Sequence, residues 1–397
     1  MRILQINHPQ ELKKIMRDIR VDSCGIEIMA PKAITHIVRV NSLSNIAANI
    51  LKQEMLSLGG EVAVSRGALT GKVKKTDCLI MANLVQFQRL DQKLHRQPFG
   101  LANLASDLSL ALSNYQKDKF ELKLGRYKIS LGPGHARLMG IINLTPDSFS
   151  GDGVYAWPLI KIIKLVEDML QNGADIIDIG GESSRPNAKP ITIKEEIKRT
   201  IPLIKEINSR FKVPVSIDTY KPEVARLALE KGAVIVNDIT GLRHRQMADI
   251  IARYDAGVII MHMKGNSPQT MQDHPKYDSL LDEIIEYLGR AIERGVDAGI
   301  DKGKIIIDPG LGFGKTTEHN FEILRRLKEF KVLGRPLLIG PSRKSFIGTI
   351  LKTRPQERIN GTLSACVLAA QNGASIVRVH DVKAVKQALQ VLEAINN

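Results

Sequence analysis

The chain has 397 residues, of which 43% are hydrophobic and 25% charged, so it is long enough for two domains or for one large domain with an extension. It shows no N-terminal signal core and no apolar run near the roughly 18 residues of a membrane helix. Its three cysteines, Cys24, Cys78 and Cys366, are widely spaced, which argues against disulfides or a zinc site and favours the cytoplasm. The net charge of +15 suggests anionic partners, but the basic residues are scattered and aromatics make up only 4%, which favours a solvated basic surface over nucleic-acid binding.

The first 130 residues mix strand and helix patterns and predict a small α/β domain whose role the pattern does not reveal. Near its end, ELKLGRYKISLG (121–132) predicts a β-hairpin that leads into the following domain or caps its bottom. We therefore divide the chain into residues 1–130 and residues 131–397.

Residues 131–397 repeat one unit, a short apolar strand followed by an amphipathic helix. The predicted strands are 137–143, 174–180, 213–218, 233–238, 257–263, 304–310, 336–342 and 375–380. The glycines of NGAD, KGAV, DAGV and NGAS are expected to end helices just before strands, in the left-handed conformation. Eight such units in about 260 residues predict a (β/α)₈ TIM barrel, with a doubly wound open sheet as the alternative.

Polar residues stand at the ends of the predicted strands. They are Asn143, Asp178, Asp218, Asn237, His262, Asp308, the Ser342-Arg343-Lys344 group, and Arg378 with His380. In a (β/α)₈ barrel the carboxyl ends of the strands form the active site, so these side chains should converge on one mouth. A capped loop would explain any single position but not the whole set.

The residue types at this mouth suit a flat heterocycle with amide and amino groups along one edge. Asp308 can accept two N–H groups, and Lys344 can donate to a ring carbonyl or ring nitrogen. Met261 and Met263 would provide an apolar wall, although ordinary core packing explains them equally well. Phe313, between the glycines of GLGFGK, would stack on the ring.

A second part of the mouth suits an anion. Arg378 and His380 are two residues apart on the last strand, so they project to the same side and indicate a phosphate or diphosphate. Asn143 offers an amide oxygen to a hydrated Mg²⁺. The glycine-rich run IIIDPGLGFGKT is not a nucleotide-binding P-loop, because that motif needs a glycine five positions before Gly314 and this chain has Pro309 there.

Eight ordered motifs together resemble those of the dihydropteroate synthases. They are MGIINLTPDSFSGDG (139–153), DIGGESSRPNA (178–188), SIDTYKPEVA (216–225), VNDITG (236–241), MHMKGNSPQTMQ (261–272), DPGLGFGKT (308–316), SRKSFIG (342–348) and RVHDV (378–382). The resemblance implies the pterin-binding branch of the TIM-barrel fold and a transferase of folate biosynthesis that sulfonamides inhibit. The implied reaction joins (7,8-dihydropterin-6-yl)methyl diphosphate to 4-aminobenzoate and releases pyrophosphate.

The resemblance also implies roles for individual positions. Asp218, Asn237, Asp308 and Lys344 resemble pterin-pocket residues, with Met261 or Met263 beside them. Asn143, Arg378 and His380 match a diphosphate and Mg²⁺ corner. The aminobenzoate site would comprise Asp147, Ser148 and Phe149 on a first loop, Ser184, Arg185 and Pro186 on a second, and Phe313, Lys344 and Ser345. Of all these, Asp218, Lys344, Arg378 and His380 are the expected catalytic residues.

The second loop departs from the family pattern, which reads Ser-Thr-Arg-Pro-Gly where this chain has SSRPN (183–187). Ser184 keeps the hydroxyl and Asn187 tolerates a positive φ, so we expect activity to persist. Two alternatives stay open: a pterin-binding methyltransferase that passes a methyl group to a corrinoid protein, and a non-catalytic pterin-binding scaffold. The first would not explain SRKSFIG and RVHDV, and the intact diphosphate corner argues against the second. We expect a homodimer.

Overall fold

The computed structural model describes residues 1–6, 9–132, 135–145, 153–183, 188–265, 267, 271 and 275–396. These residues form two compact units, Met1–Ser113 and Asn114–Asn397. The predicted loop residues Asp147, Ser148, Phe149, Ser184, Arg185 and Pro186 lie outside the described residues. None of the helices in the described ranges is long and apolar enough to cross a membrane.

The first unit is a three-stranded antiparallel sheet with helices packed on one face. Its strands are β1 (Thr35–Ser44), β2 (Glu61–Val64) and β3 (Lys75–Asn83), in the order β1-β3-β2. Its helices are α1 (Pro9–Asp18), α2 (Ser23–Met29), α3 (Asn45–Leu56), α4 (Arg66–Leu69), α5 (Leu84–Leu94) and α6 (Leu101–Gln116), whose last turn belongs to the second unit. Along β3, Cys78 and Ile80 are buried and Asp77 and Leu79 are exposed, because alternate residues of a strand point to opposite faces.

The second unit is a barrel of parallel strands. They are β6 (Arg137–Asn143), β7 (Ile176–Gly180), β8 (Val215–Asp218), β9 (Ile235–Asp238), β10 (Gly257–Met261), β11 (Ile305–Asp308), β12 (Leu338–Ile339) and β13 (Ile376–Val379), following the hairpin strands β4 (Phe120–Leu124) and β5 (Tyr127–Leu131). The order β11-β10-β9-β8-β7-β6-β13-β12 is closed by a parallel bridge between Ile307 and Leu337. The predicted (β/α)₈ fold is confirmed, and the open sheet is excluded.

Helices follow every barrel strand. They are α7 (Leu159–Gln171), α8 (Ile193–Arg210), α9 (Pro222–Glu230), α10 (Arg245–Arg253), α11 (Leu280–Asp297), α12 (Thr317–Arg325), α13 (Ser345–Leu351), α14 (Ile359–Gln371) and α15 (Val382–Asn396). The barrel also has 3₁₀ helices at Lys302–Lys304, Leu327–Leu333 and Pro355–Glu357, and the first unit has one at Ala30–Lys32. Gly173, Gly232 and Gly373 take positive φ before strands, as predicted. In DAGV the prediction was wrong, because Asp255 has the positive φ (52°) and Gly257 lies in β10, where a Cβ would come within 2.5 Å of Leu124 Cδ2.

The β4–β5 hairpin caps one end of the barrel, which is one of the two placements that the sequence predicted. Its residues Leu122, Leu124, Ile129 and Leu131 share one buried cluster with Met139, Ile176, Ile235, Ile259, Ile306, Leu338 and Ile376 of the barrel strands. Most of these barrel residues lie at or near the first residue of their strand, so the hairpin fills the end opposite the mouth. The polar strand ends are left to form the mouth, as is usual in this fold.

Candidate active site

An ion-pair cluster at the mouth joins β13 to β7 and β8, across the intervening β6. Arg378, on β13, donates from Nε to Asp178 Oδ2 at 2.6 Å and from Nη2 to Asp218 Oδ2 at 2.8 Å. Asn237 Nδ2 donates to the same oxygen of Asp178 at 3.3 Å. Burial raises the pKa of Asp218, and the Arg378 guanidinium opposes that rise. One cation therefore lies between two carboxylates, and the buried Asp178 Oδ1 has no hydrogen-bond partner among the described atoms.

A second polar group surrounds His380, just beyond β13. His380 Nδ1 lies 2.9 Å from Ser342 Oγ, and Nε2 lies 3.4 Å from Asn143 Nδ2. Because an amide nitrogen can only donate, this orientation of Asn143 makes Nε2 the acceptor and puts the hydrogen on Nδ1. Ser342 also accepts the His380 backbone N–H at 3.2 Å, which fixes the ring at the edge of the mouth.

A tight turn positions Lys344. Arg343 has a positive φ of 56° and is held there by hydrogen bonds from Nε and Nη2 to Asp381 at 2.9 and 2.6 Å. Lys344 then donates to Leu311 O, and its Nζ lies 4.8 Å from the centroid of the Phe313 ring. Burial lowers the pKa of Lys344 to about 8, although a neighbouring carboxylate opposes this. The ammonium is thus confined to the wall that also carries Phe313.

The GLGFGKT segment is folded around Asp308 and Lys315. Asp308 Oδ1 accepts the Gly310 N–H at 2.7 Å, and burial raises the pKa of this carboxyl. A Cβ on Gly310, at φ 71°, would lie 2.0 Å from His262 O, so only glycine fits. Lys315 is buried and donates to His262 Nδ1 at 2.8 Å and to Phe313 O at 3.0 Å. Its amine is engaged with the protein itself, in keeping with the exclusion of a P-loop.

An apolar cluster, separate from the main core, lies next to these polar groups. It consists of the buried Ile239, Met261, Met263 and Met271, with Tyr220 and Phe313 packed against it. The two predicted methionines therefore belong to this satellite cluster at the ends of β9 and β10. Ser345, the first residue of α13, is exposed.

One cavity collects residues from distant parts of the chain. Its predicted lining residues are Asn143, Asp218, Phe313, Lys344, Arg378 and His380. Asn237, Asp308, Met261 and Met263 lie at neighbouring strand ends. Sequence analysis placed Asp178 and Ser342 among the polar strand ends without an individual role, and it did not single out Glu182, although Ser342 and Glu182 also line the cavity and all three stand in the quoted motifs. Among the described residues, no group of three His, Cys, Asp or Glu could hold a metal ion.

Comparison with known proteins agrees with this geometry. The family model described as "Pterin binding enzyme" matches residues 139–380. Dihydropteroate synthase of Escherichia coli K12 is 46% identical over 273 residues, which are 69% of this chain and 96% of that protein. A Yersinia pestis dihydropteroate synthase, solved as a sulfonamide drug complex, superposes with a TM-score of 0.67 at 40% identity and covers 70% of this chain and 99% of its own.

The first unit also has a counterpart. A Halobacterium salinarum protein, named as a probable bifunctional folylpolyglutamate synthase/dihydropteroate synthase, is 40% identical over 370 residues. The match covers 93% of this chain and 44% of that protein, so it takes in most of residues 1–113. The combination of such a unit with a pterin-binding barrel therefore occurs in at least one other protein.

Proposed function

Because the chain belongs to the dihydropteroate synthases, a family of pterin-binding enzymes, we propose that the cavity at the barrel mouth is where its two substrates are joined. The enzyme is a transferase that condenses (7,8-dihydropterin-6-yl)methyl diphosphate with 4-aminobenzoate, giving 7,8-dihydropteroate and pyrophosphate in folate biosynthesis. The observation that carries the site assignment is the arrangement of Arg378 between Asp178 and Asp218, in a cavity that Lys344 and His380 also line.

The pterin would bind along the ends of β8, β9 and β11. Asp308 and Asp218 are carboxylate acceptors for the amino and amide edge, and Asn237 can both donate and accept. Lys344 is a donor for the ring carbonyl or a ring nitrogen. The methionine cluster next to these groups supplies an apolar surface that matches the flat ring.

The diphosphate would bind at the opposite side of the cavity, near β6 and β13. Arg378 is its cationic partner, with His380 beside it, and the buried Thr145 Oγ1, which has no partner among the described atoms, can donate to a diphosphate oxygen. Asn143 turns Nδ2 toward His380, which leaves Oδ1 available as one ligand of Mg²⁺. A single protein oxygen fits this ion, since Mg²⁺ is usually held by few protein ligands, by waters and by substrate phosphates. When bound, Mg²⁺ would neutralise negative charge on the leaving diphosphate.

In the reaction, the bond between the pterin methylene carbon and the diphosphate oxygen breaks, and its electron pair leaves with pyrophosphate. The electron-rich pterin, held among carboxylates in a buried site, stabilises the positive charge that develops on the methylene carbon. The 4-aminobenzoate nitrogen then bonds to that carbon and loses one proton to water or to the released pyrophosphate. Phe313 would stack on the aniline ring, with Ser345, residues 147–149 and residues 184–186 around it. Because the aniline is a sufficient nucleophile, the roles proposed for Asp218, Lys344, Arg378 and His380 are electrostatic and orienting.

Three further properties follow as proposals. The chain is expected to form a homodimer, which light scattering during size-exclusion chromatography would detect. It is not expected to bind nucleic acid, so its elution volume should not depend on the salt concentration. The free Cys24, Cys78 and Cys366 are compatible with a reducing, cytoplasmic location.

The proposal is tested by measuring pyrophosphate release from the dihydropterin diphosphate with and without 4-aminobenzoate, and with Mg²⁺ added or chelated. Arg378→Met should abolish turnover, whereas Arg290→Met, on the exposed face of α11, should leave it unchanged. Turnover by Arg378→Met equal to that of the unmodified enzyme would show that the cavity has been assigned to the wrong chemistry.

A further inference from the structure

Lys221 is a nearly buried cation that no step of the reaction uses. It stands between β8 and α9, and only 12% of its side chain is exposed. Its Nζ donates to Glu182 Oε2, to Ile191 O at 2.8 Å and to Glu196 Oε2 at 2.6 Å. Glu182 follows β7, whereas Ile191 and Glu196 stand just before and within the first turns of α8. One ammonium therefore connects the two stems of the segment that joins β7 to α8.

Glu182 is the other centre of this network. Its Oε1 accepts the Tyr220 hydroxyl at 2.7 Å, and its Oε2 accepts from Lys221 and from the Ile191 N–H at 3.3 Å. Although Glu182 lines the active-site cavity, both oxygens are already engaged, which argues against proton transfer and for a structural task. The side chains of Glu182 and Glu196 are 7% and 1% exposed, so Lys221 is needed to offset two buried carboxylates.

The network also contacts the apolar side of the pocket. Tyr220 packs against the cluster of Ile239, Met261, Met263 and Met271 while its hydroxyl holds Glu182. Ser183 follows Glu182 and lines the cavity. Its position therefore depends both on the apolar cluster that Tyr220 contacts and on α8. Arg199 strengthens the same stem by donating from Nη1 to Gly181 O at 3.0 Å.

We propose that Lys221 is a positioning residue that sets the aminobenzoate half of the site by fixing both stems of the β7–α8 connection. This inference rests on the proposed function, because that connection carries Ser184, Arg185 and Pro186. Lys221 touches no substrate; it acts through Glu182, Ile191 and Glu196. Apart from Asp218, which ends β8 and is held by Arg378, the proposed pterin and diphosphate groups lie at other strands, so pterin binding should depend on Lys221 far less than aminobenzoate binding does.

The test uses the full-length enzyme and the variants Lys221→Met, Glu182→Gln and Lys304→Met. Lys304 is a matched control: it is 8% exposed, donates to Asp255 O at 2.8 Å and lies at the barrel end opposite the mouth. We expect Lys221→Met to raise KM for 4-aminobenzoate by about tenfold or more, and to change the Kd of a pterin ligand by less than about twofold. Sulfonamide inhibition should weaken in parallel, and Lys304→Met should alter none of the three constants.

An unchanged KM in folded Lys221→Met, or equal losses of pterin and aminobenzoate affinity, would overturn the inference. If Lys221→Met does not fold, Glu182→Gln decides the question. It keeps the shape of the side chain, removes its charge and replaces one of its two accepting oxygens with an NH₂ donor, so it should raise KM in the same selective way. The proposed function fails separately, if the unmodified enzyme shows no turnover that depends on 4-aminobenzoate.

Discussion

The substitution Asp308→Asn removes the charge of a residue proposed to bind the pterin while keeping its shape. Asp308 is 6% exposed, at the end of β11, and its Oδ1 accepts the Gly310 N–H at 2.7 Å. Asparagine can still accept that bond through its carbonyl oxygen. Its other terminal atom becomes an NH₂ donor, which would face an N–H of the pterin and leave both groups poorly paired.

The size of the effect follows from the burial of the site. A hydrogen bond to a charged group contributes about 1.5–3 kcal/mol, so pterin affinity should fall by roughly tenfold to a hundredfold. Stability should respond in the opposite sense. Burial raises the pKa of Asp308, so at neutral pH the folded state disfavours this charge and its removal should not lower Tm.

Calorimetric titration with a pterin ligand and a thermal melt of each variant measure these two quantities. Asp301→Asn is the matched control, since Asp301 Oδ1 accepts the Gly303 N–H at 2.8 Å in the same Asp-x-Gly turn, but at an exposed position outside the site. Asp301→Asn should leave the pterin Kd unchanged. A folded Asp308→Asn enzyme that binds pterin as tightly as the unmodified enzyme would refute the role assigned to Asp308.

Three other predictions concern pH, the first unit and inhibition. Burial lowers the pKa of Lys344 to about 8, so its ammonium is lost as the pH rises through that value and kcat/KM should decline above about pH 8. Lys344→Arg stays charged, so it should move the decline in kcat/KM to higher pH. A decline at the same pH in both enzymes would contradict the assignment. Deletion of residues 1–113 should leave a folded, active barrel. Deletion of residues 1–125 also removes β4 and uncovers the barrel interior, so it should yield insoluble protein. Equal solubility of the two deletion variants would refute the role of the hairpin. Sulfonamides should compete with 4-aminobenzoate only after the pterin diphosphate has bound and should form a pterin adduct visible by mass spectrometry, and inhibition without that order would argue against a shared aniline site.

The fold was accessible from the sequence because barrel strands buried on both faces give continuous apolar runs. The strand predicted at 336–342 shows the limit, since only Leu338–Ile339 form a regular strand and Leu337 adds an isolated bridge. Pro336 and Pro341 lack the backbone N–H that pairing between strands needs, and a prediction from runs of apolar residues does not detect this loss. The hairpin was recognisable as a pair of alternating strands, but its packing against Gly257 was not, because that contact joins residues distant in the chain.

The sequence predicted which residue types lie at the mouth, but not the hydrogen bonds that join them. Strand-end polarity identified Asp218, Asp308 and Arg378, because the fold brings all strand ends together. It did not show that Arg378 bonds both Asp178 and Asp218, nor that Lys221 links the stems of another connection. Such bonds depend on side-chain reach between strands and connections that are separate in the chain, and for Arg378 across the intervening β6, which spacing along one segment does not encode.

The closure of the barrel between β11 and β12 has a consequence for the dynamics of the empty enzyme. This joint rests on the isolated bridge between Ile307 and Leu337, whose bonds include that from the Ile307 N–H to Pro336 O at 3.0 Å. Few hydrogen bonds mean a low free energy of local opening, so the Ile307 amide should exchange with deuterium faster than the amides of β7. Asp308 and Lys344 stand on the two sides of the joint, and a pterin bound to both would span it. Binding of the pterin substrate should therefore slow amide exchange at this joint far more than elsewhere in the barrel. The pterin substrate would then stabilise the closed barrel itself.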